Sequence, residues 1–486
     1  MEIKRNDLFN VTITALSSDS SGVGRTNAGT PHENGKVAFI PFTAVGDEVE
    51  ARAVKVTKSV IYGEIERILT PSPDRIKTDC TAAHRCGGCD FRHISYEAEI
   101  KAKEGFIRDA FTRIGGLTPE FLPIIPSENT DCYRNKVQYP VGKDAHGNMV
   151  YGFYAPKSNI IIPHTNCRLL PPVFGEIAEY IIGYINNSRI SVYDELRHIC
   201  IRKGHYSGEI NLVLVARRKS PEFAKLAELI MLRFPAVKGV TLNINRYQSN
   251  VVFGDKDIRL IGKDDITDTM SIISGDARLR VKISPRSFYQ VNTPAAGKLY
   301  GLVREFSQPK GKFILDLYCG IGTIGLSMAS EARKIIGVEV VGSAVINARE
   351  NAEINNIKNA SFINSDSCNI KTALASDCHP AEDAVPDVII LDPARKGCDI
   401  SVLESAAELA PERIIMVSCD PATAARDCGR LRELGYRTVS VGGVDLFPRT
   451  RHVECAALLS AAPKASQRNT QVAEVRTCVQ YPKYGR

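Results

Sequence analysis

K-F-I-L-D-L-Y-C-G-I-G-T-I-G-L (312–326) decides the fold. Apolar residues around one acid predict a buried strand over 313–317, then a Gly-rich turn, then a helix over 323–331. Gly320, Gly322 and Gly325 match G-x-G-x-x-G, whose glycines permit a tight turn and bring a ligand close to backbone. The next strand, 335–339, ends at Glu339, placed to hold two ribose hydroxyls. The pattern continues with a helix over 343–355 and strands over 387–391, 413–418, 436–441 and 453–459. Strands alternating with helices mean a doubly wound α/β sheet from about 286 to 462.

The glycine motif alone fits a nicotinamide enzyme almost as well as an S-adenosylmethionine enzyme. Two acids favour the second. Asp316 lies inside the first strand, four residues before Gly320, and Asp392-Pro393 ends a later strand in L-D-P-A-R-K-G (391–397). M-V-S-C-D-P-A-T (416–423) is a strand that stops at a thiol, Cys419, where ligands of open α/β sheets bind. D-L-F-P-R-T-R-H-V-E (445–454) ends in a carboxylate, Glu454. A thiol, a carboxylate and a cofactor loop in one sheet suggest covalent catalysis on an electron-poor ring. Cys319, Cys398, Cys428 and Cys455 read as core. An exocyclic-amine methyltransferase would carry an aromatic after the acid-proline pair. Here the run is D-P-A-R, and Cys419 would have no task.

Towards the N-terminus, V-T-I-T-A-L (11–16), K-V-A-F-I-P (36–41) and E-V-E-A-R-A-V-K-V (48–56) alternate between Gly and Asn turns. Residues 1–70 therefore predict a small five-stranded β-barrel, either a nucleic-acid binder or a structural module. T-P-S-P-D-R (70–75) is a linker. Residues 95–285 mix helices (96–111) with strands (198–204, 209–217, 239–245), and periodicity does not fix their topology. Among fourteen cysteines, Cys80, Cys86 and Cys89 cluster as C-x5-C-G-G-C, with Cys167 at a distance. By spacing, four thiolates suit zinc or an iron–sulfur cluster equally. The net charge of +7 permits nucleic-acid binding without demanding it, and with no tryptophan, stacking would use Phe, Tyr, His or Arg. No apolar run approaches the ~20 residues of a membrane span. The opening M-E-I-K-R-N-D lacks the apolar core of a secretory signal, so a cytoplasmic location is expected. The polar tail after 462 is expected to be mobile.

Together these runs resemble the RNA (uracil-5-)-methyltransferase family. The resemblance is carried by S-F-Y-Q-V-N (287–292), D-L-Y-C-G-I-G-T (316–323), G-V-E (337–339), D-P-A-R-K-G (392–397), V-S-C-D-P-A-T (417–423) and D-L-F-P-R-T-R-H-V-E (445–454), in the family's order. It implies a Rossmann-like methyltransferase domain over 286–462 behind a central RNA-binding domain over 75–285. It further implies that Gln290, Tyr318, Gly320, Thr323, Glu339 and Asp392 contact S-adenosylmethionine, with Cys419 as nucleophile and Glu454 as base. Thr323 is a departure, since several relatives carry Asn there.

The first ~70 residues look like the TRAM RNA-binding barrel. The cysteine pattern resembles the iron–sulfur site of the 23S rRNA-modifying branch, which implies a [4Fe–4S] cluster on Cys80, Cys86, Cys89 and Cys167. Y-R-N-K-V-Q-Y (133–139) also matches that family's central domain, with Arg134 and Lys136 as candidate phosphate contacts. The implied partner is 23S rRNA. tRNA is the alternative, and an iron–sulfur RNA-binding protein with a non-catalytic methyltransferase fold is another. A monomer is the default. The mechanism leads us to expect a Cys419 thiol of lowered pKa, with Arg395 and Arg449 as the nearby cations.

Overall fold

The computed structural model describes residues 3–26, 35–188, 190–247, 251–271, 278–371, 374 and 385–462. The expected mobile tail, 463–486, lies outside the described residues. Five strands, β1 (Leu8–Leu16), β2 (Gly22–Thr26), β3 (Val37–Ile40), β4 (Glu48–Val56) and β5 (Val60–Thr70), close into a barrel in the order β1-β2-β3-β5-β4. The alternation is the cause: Phe9, Val11 and Ile13 of β1 and Val49, Ala51 and Ala53 of β4 are buried. Because β1 pairs with both β2 and β4, closure removes the free edges.

Helix α1 (Tyr96–Asp109) starts at Ser95, whose side chain accepts the Ala98 amide and so satisfies a donor the helix cannot. It leads to a two-residue strand, β6 (Glu120–Phe121). The middle of the chain forms a seven-stranded sheet from β7 (Lys136–Lys143), β8 (Met149–Tyr154), β9 (Ile161–Pro163), β10 (Leu196–Lys203), β11 (Ile210–Ala216), β12 (Val237–Ile244) and β13 (Lys256–Gly262). Its order, β13-β12-β11-β10-β7-β8-β9, is the topology that periodicity did not give. Helices α2 (Pro172–Ser188) and α3 (Glu222–Arg233) share one core with it. A hairpin of β14 (Ile266–Ser271) and β15 (Arg278–Ile283) precedes α4 (Thr293–Ser307), which Asn292 caps by accepting the Ala295 amide.

The C-terminal sheet has eight strands in the order β18-β17-β16-β19-β20-β22-β21-β6. These are β16 (Phe313–Leu317), β17 (Lys334–Glu339), β18 (Ala360–Asn364), β19 (Val388–Leu391), β20 (Arg413–Ser418), β21 (Tyr436–Val444) and β22 (Glu454–Ala461), closed by β6. Helices α5 (Thr323–Ser327), α6 (Gly342–Ile354), α7 (Ile400–Glu408) and α8 (Pro421–Glu433) connect them. Strands β16 to β20 run parallel, and β22 runs antiparallel between β20 and β21. This is the doubly wound sheet expected.

Three details differ from expectation. α5 stops at Ser327 instead of 331, because the Ser327 hydroxyl bonds back to the Ile324 carbonyl at 2.6 Å and the Met328 and Ala329 amides turn to carbonyls three residues back. β18 is a strand that the sequence reading did not separate from its loop. Finally, Ile107, Phe111, Leu117 and Ile124 share a core with β16, β19 and β20, and β6 pairs in parallel with β21 through Ser440↔Glu120 and Val441↔Phe121.

Candidate active site and cysteine centre

The order of the C-terminal sheet reverses at β16, which has β17 on one side and β19 on the other. Ligands bind in the crevice at such a point, beyond the carboxyl ends of the strands. Tyr318, just past β16, holds a left-handed backbone with φ 63°, and Gly320 and Gly322 follow at 55° and 81°. For a non-glycine residue this costs about 1–3 kcal/mol and persists only where neighbours over-determine it. Here the Cys319 amide donates to the Val338 carbonyl at 3.1 Å, and the Gly320 amide donates to Glu339 Oε2 at 3.1 Å. A side chain at Gly320 would meet nothing within 4 Å, so the loop faces open space with bare backbone.

Below the loop Asp316 is fully buried. Its Oδ2 accepts the Gly325 amide at 2.9 Å, while Oδ1 has no partner. Burial pushes this carboxyl up to about 7. An orphaned acidic oxygen beneath a glycine loop suits the ammonium end of S-adenosylmethionine, so the residues fit that cofactor. Asp316→Asn is expected to weaken S-adenosylhomocysteine binding by ~1.5–3 kcal/mol, roughly ten- to a hundredfold, read by titration calorimetry. Unchanged affinity would remove Asp316 from the site.

Thr323, at the start of α5, shares a 2.9 Å hydrogen bond with the buried Tyr300 hydroxyl, a partner that sequence reasoning missed. Asp366 follows β18, the strand beside Glu339, and its carboxylate accepts the Cys368 amide.

Three adjacent strands deliver the candidate catalytic groups. Asp392 follows β19 and Cys419 follows β20. Glu454 opens β22, where Cys455 pairs with Ser418. Asp420 turns the chain after Cys419 by capping α8, accepting the Ala422 amide at 2.9 Å. The thiol is half-buried and Glu454 is 4% exposed. Burial and the neighbouring Asp392 carboxyl push Glu454 up to about 8, against the pull of Arg395. Burial and Glu454 push the Cys419 thiol up to about 11, with Arg395 opposing.

The expected lowering of the thiol is therefore not found in the free protein, because burial, joined by the Glu454 and Asp392 carboxyls, outweighs the pull of Arg395. Arg395 is the nearby cation. Arg449 is not, since its guanidinium bonds the Ile94 carbonyl at 3.1 Å and lies against Tyr96 and Glu99. His452 packs edge-on against Phe447. Cys319, Cys398, Cys428 and Cys455 are buried, as a core role requires.

Gln290 is buried just before α4, and its carbonyl accepts Asn135 Nδ2 at 2.8 Å. Asn135 also reaches Thr293, which joins Y-R-N-K-V-Q-Y to S-F-Y-Q-V-N. Phe288, two residues from Gln290, is 67% exposed.

Cys80, Cys86, Cys89 and Cys167 line one cavity of about 380 Å³, together with Arg134, Lys136 and His164. His164 was missed from sequence; its Nε2 lies 3.7 Å from Cys80 Sγ. Arg134 and Lys136 thus face the thiols' cavity instead of a phosphate surface. Burial raises Cys89 to about 12 and Cys167 to about 11, so all-protein surroundings disfavour their thiolates. Among the described residues, no three His, Cys, Asp or Glu side chains are grouped to hold a metal ion. The four expected ligands share one cavity without forming a closed single-ion site.

Comparison with known proteins agrees with this architecture. The tRNA (Uracil-5-)-methyltransferase family model matches residues 239–462, and the TRAM domain model matches residues 4–65. A protein of Clostridium tetani described as an uncharacterized RNA methyltransferase is 37% identical over 94% of this chain and 97% of its own length. A similar protein of Bacillus cereus is 35% identical over 95% and 98%. Among solved structures, the Pyrococcus abyssi tRNA (uracil-54, C5)-methyltransferase in complex with S-adenosyl-L-homocysteine matches with a TM-score of 0.71 and 26% identity, over 93% of this chain and 99% of that one. The chain belongs to the S-adenosylmethionine-dependent RNA (uracil-5-)-methyltransferase family, with an N-terminal TRAM barrel. Among the described residues no helix is long and apolar enough to cross a membrane.

Proposed function

We propose that this protein methylates C5 of a uridine in 23S rRNA, with Cys419 as nucleophile and Glu454 as base. The observation that carries the reading is the convergence of Asp392, Cys419 and Glu454 at adjacent strand ends beside the glycine loop. Uracil C5 is too weak a nucleophile to take a methyl group unaided. Cys419, once deprotonated, adds to C6; a C–S bond forms and the ring becomes an enolate with charge on C5 and O4. S-adenosylmethionine would supply an electrophilic methyl group: as C5 takes it, the sulfonium S–CH3 bond breaks and S-adenosylhomocysteine leaves. Glu454 then removes the C5 proton, the C5–C6 double bond re-forms, and the C6–S bond breaks to release the thiolate. Arg395 lies beside the thiol and offsets negative charge there. The exposed face of Phe288 offers a stacking surface for a base drawn out of its helix.

Residues 75–285 are assigned to RNA binding ahead of a methyltransferase domain over 286–462, with Gln290, Tyr318, Gly320, Thr323, Glu339 and Asp392 lining the cofactor. Cys80, Cys86, Cys89 and Cys167 are assigned as the ligands of a [4Fe–4S] cluster. Four thiols around one cavity support this, because the volume exceeds the ~30 Å³ share of one water many times over and so suits a group larger than one ion. Three-part architecture alone does not choose the RNA, since a tRNA enzyme matches over 93% of the chain. tRNA is therefore the second reading, and the cysteine motif is what favours rRNA.

RNA carrying 5-fluorouridine tests the chemistry, because fluorine at C5 cannot leave as a proton. A denaturation-resistant complex that needs Cys419 is the expected result. No adduct with any uridine, from protein that binds S-adenosylhomocysteine, would refute it. Mapping 5-methyluridine in rRNA and tRNA of a deletion strain separates the two substrates. The pH profile gives a further check. Thiol addition needs Cys419 deprotonated and the last step needs Glu454 deprotonated, and both are held high, so kcat should rise from pH 6 through about 8. A profile that falls over this range would contradict the assignment.

A further inference from the structure

The loop from Asp445 to Glu454 is held by residues far outside the reacting set. Asp90 follows Cys89 directly. Its amide donates to the Arg449 carbonyl at 2.9 Å, and the Phe91 amide donates to the same oxygen at 3.1 Å. Its Oδ2 accepts the Arg451 amide at 2.9 Å, and its Oδ1 lies 3.6 Å from the Arg451 guanidinium. Oδ1 also accepts the Ser20 hydroxyl of the barrel at 3.2 Å. Arg449 itself has φ 68°, a strained backbone for a non-glycine residue. Glu99 holds it from the other side by accepting its amide at 2.7 Å. Glu454 stands three residues past Arg451, at the first position of β22.

We infer that Asp90 is a positioning residue for Glu454, clamping the base-bearing loop to the barrel and to the cysteine loop in one grip. The inference rests on the reading of Glu454 as base. A carboxylate bonded to a backbone amide, a guanidinium and a barrel hydroxyl fixes both the direction and the height of the loop. Releasing it frees the Arg451 amide and guanidinium, two residues past the strained Arg449, and the shift runs on to Glu454. Only the last chemical step needs Glu454. Losing the clamp should therefore leave thiol addition and methyl transfer in place, and slow C5 proton removal and C–S cleavage.

Asp90→Ala and Asp90→Asn are compared with wild type and Glu454→Gln on RNA with ordinary uridine and radiolabelled S-adenosylmethionine. Iron and sulfide content and S-adenosylhomocysteine affinity are measured on each preparation. The expected result is a methyl-bearing, denaturation-resistant complex that accumulates in Asp90→Ala and decays roughly ten- to a hundredfold more slowly than in wild type, the scale of a 1 Å misplacement. Asp90→Asn keeps an oxygen for the Arg451 amide and should restore part of the rate; it also reads the effect if the alanine variant does not fold. Wild-type decay in Asp90→Ala, or equal slowing of complex formation and decay, overturns the positioning role. If Glu454→Gln itself turns over normally, the reading of Glu454 as base has failed, a separate outcome.

Discussion

Cys419→Ala is expected to lower uridine methylation on the order of 10⁶-fold, the loss found when a covalent nucleophile is removed from a preorganised site. No neighbour can take over. The Ser418 hydroxyl is bonded to the Asp420 carbonyl at 3.1 Å, and the Cys455 thiol is fully buried, 3.5 Å from the Ser418 carbonyl. The substitution removes one sulfur from a half-buried position, so the fold should persist. Retained S-adenosylhomocysteine binding would show this. Single-turnover transfer of a labelled methyl group is the decisive measurement. Activity above about one hundredth of wild type would exclude the covalent route.

Lys103→Met is expected to cost about 3–5 kcal/mol of stability, the scale for removing one partner of a buried ion pair. Lys103 is fully buried, with Nζ 2.7 Å from both Glu99 Oε1 and Asp445 Oδ1. Tyr96 donates to the other Asp445 oxygen at 2.9 Å. Without the ammonium, two buried carboxylates face each other, and among the described residues Arg449 is the remaining cation near Glu99, at 3.7 Å. The denaturant midpoint should fall well below that of Lys58→Met, whose side chain is exposed. The triple variant Glu99→Gln, Lys103→Met, Asp445→Asn should recover much of the loss, because neutral groups can share hydrogen bonds without an unpaired charge. Equal midpoints for Lys103→Met and Lys58→Met would refute the argument.

The legible parts of the chain were those whose signals are local. The barrel showed in period-2 alternation, and the strand ends carrying Asp316, Glu339, Asp392 and Cys419 showed because Gly, Asp and Pro punctuate them within a few residues. The illegible parts depend on distant partners. β6 is two residues, Glu120 and Phe121, with no period to read. Tyr300 gave no sign from its helix that its hydroxyl reaches Thr323. The electrostatics also escaped. Arg395 and Arg449 stand at similar distances in sequence from Cys419, yet only folding shows Arg449 committed to Ile94 and Glu99. The raised thiol follows first from its burial and then from Glu454 and Asp392 beside it, which no single motif displays.

The pairing of β6 with β21 also sets an order of events during synthesis. Glu120 and Phe121 leave the ribosome long before Ser440 and Val441 exist. At roughly 5–20 residues per second the early segment waits on the order of tens of seconds for its partner strand. Ile107, Phe111, Leu117 and Ile124, apolar residues that end in the core of the last domain, must stay sheltered through that delay. The nascent chain is thus most exposed to chaperone capture or aggregation in its first quarter, and its oldest helix can dock only once its newest sheet exists.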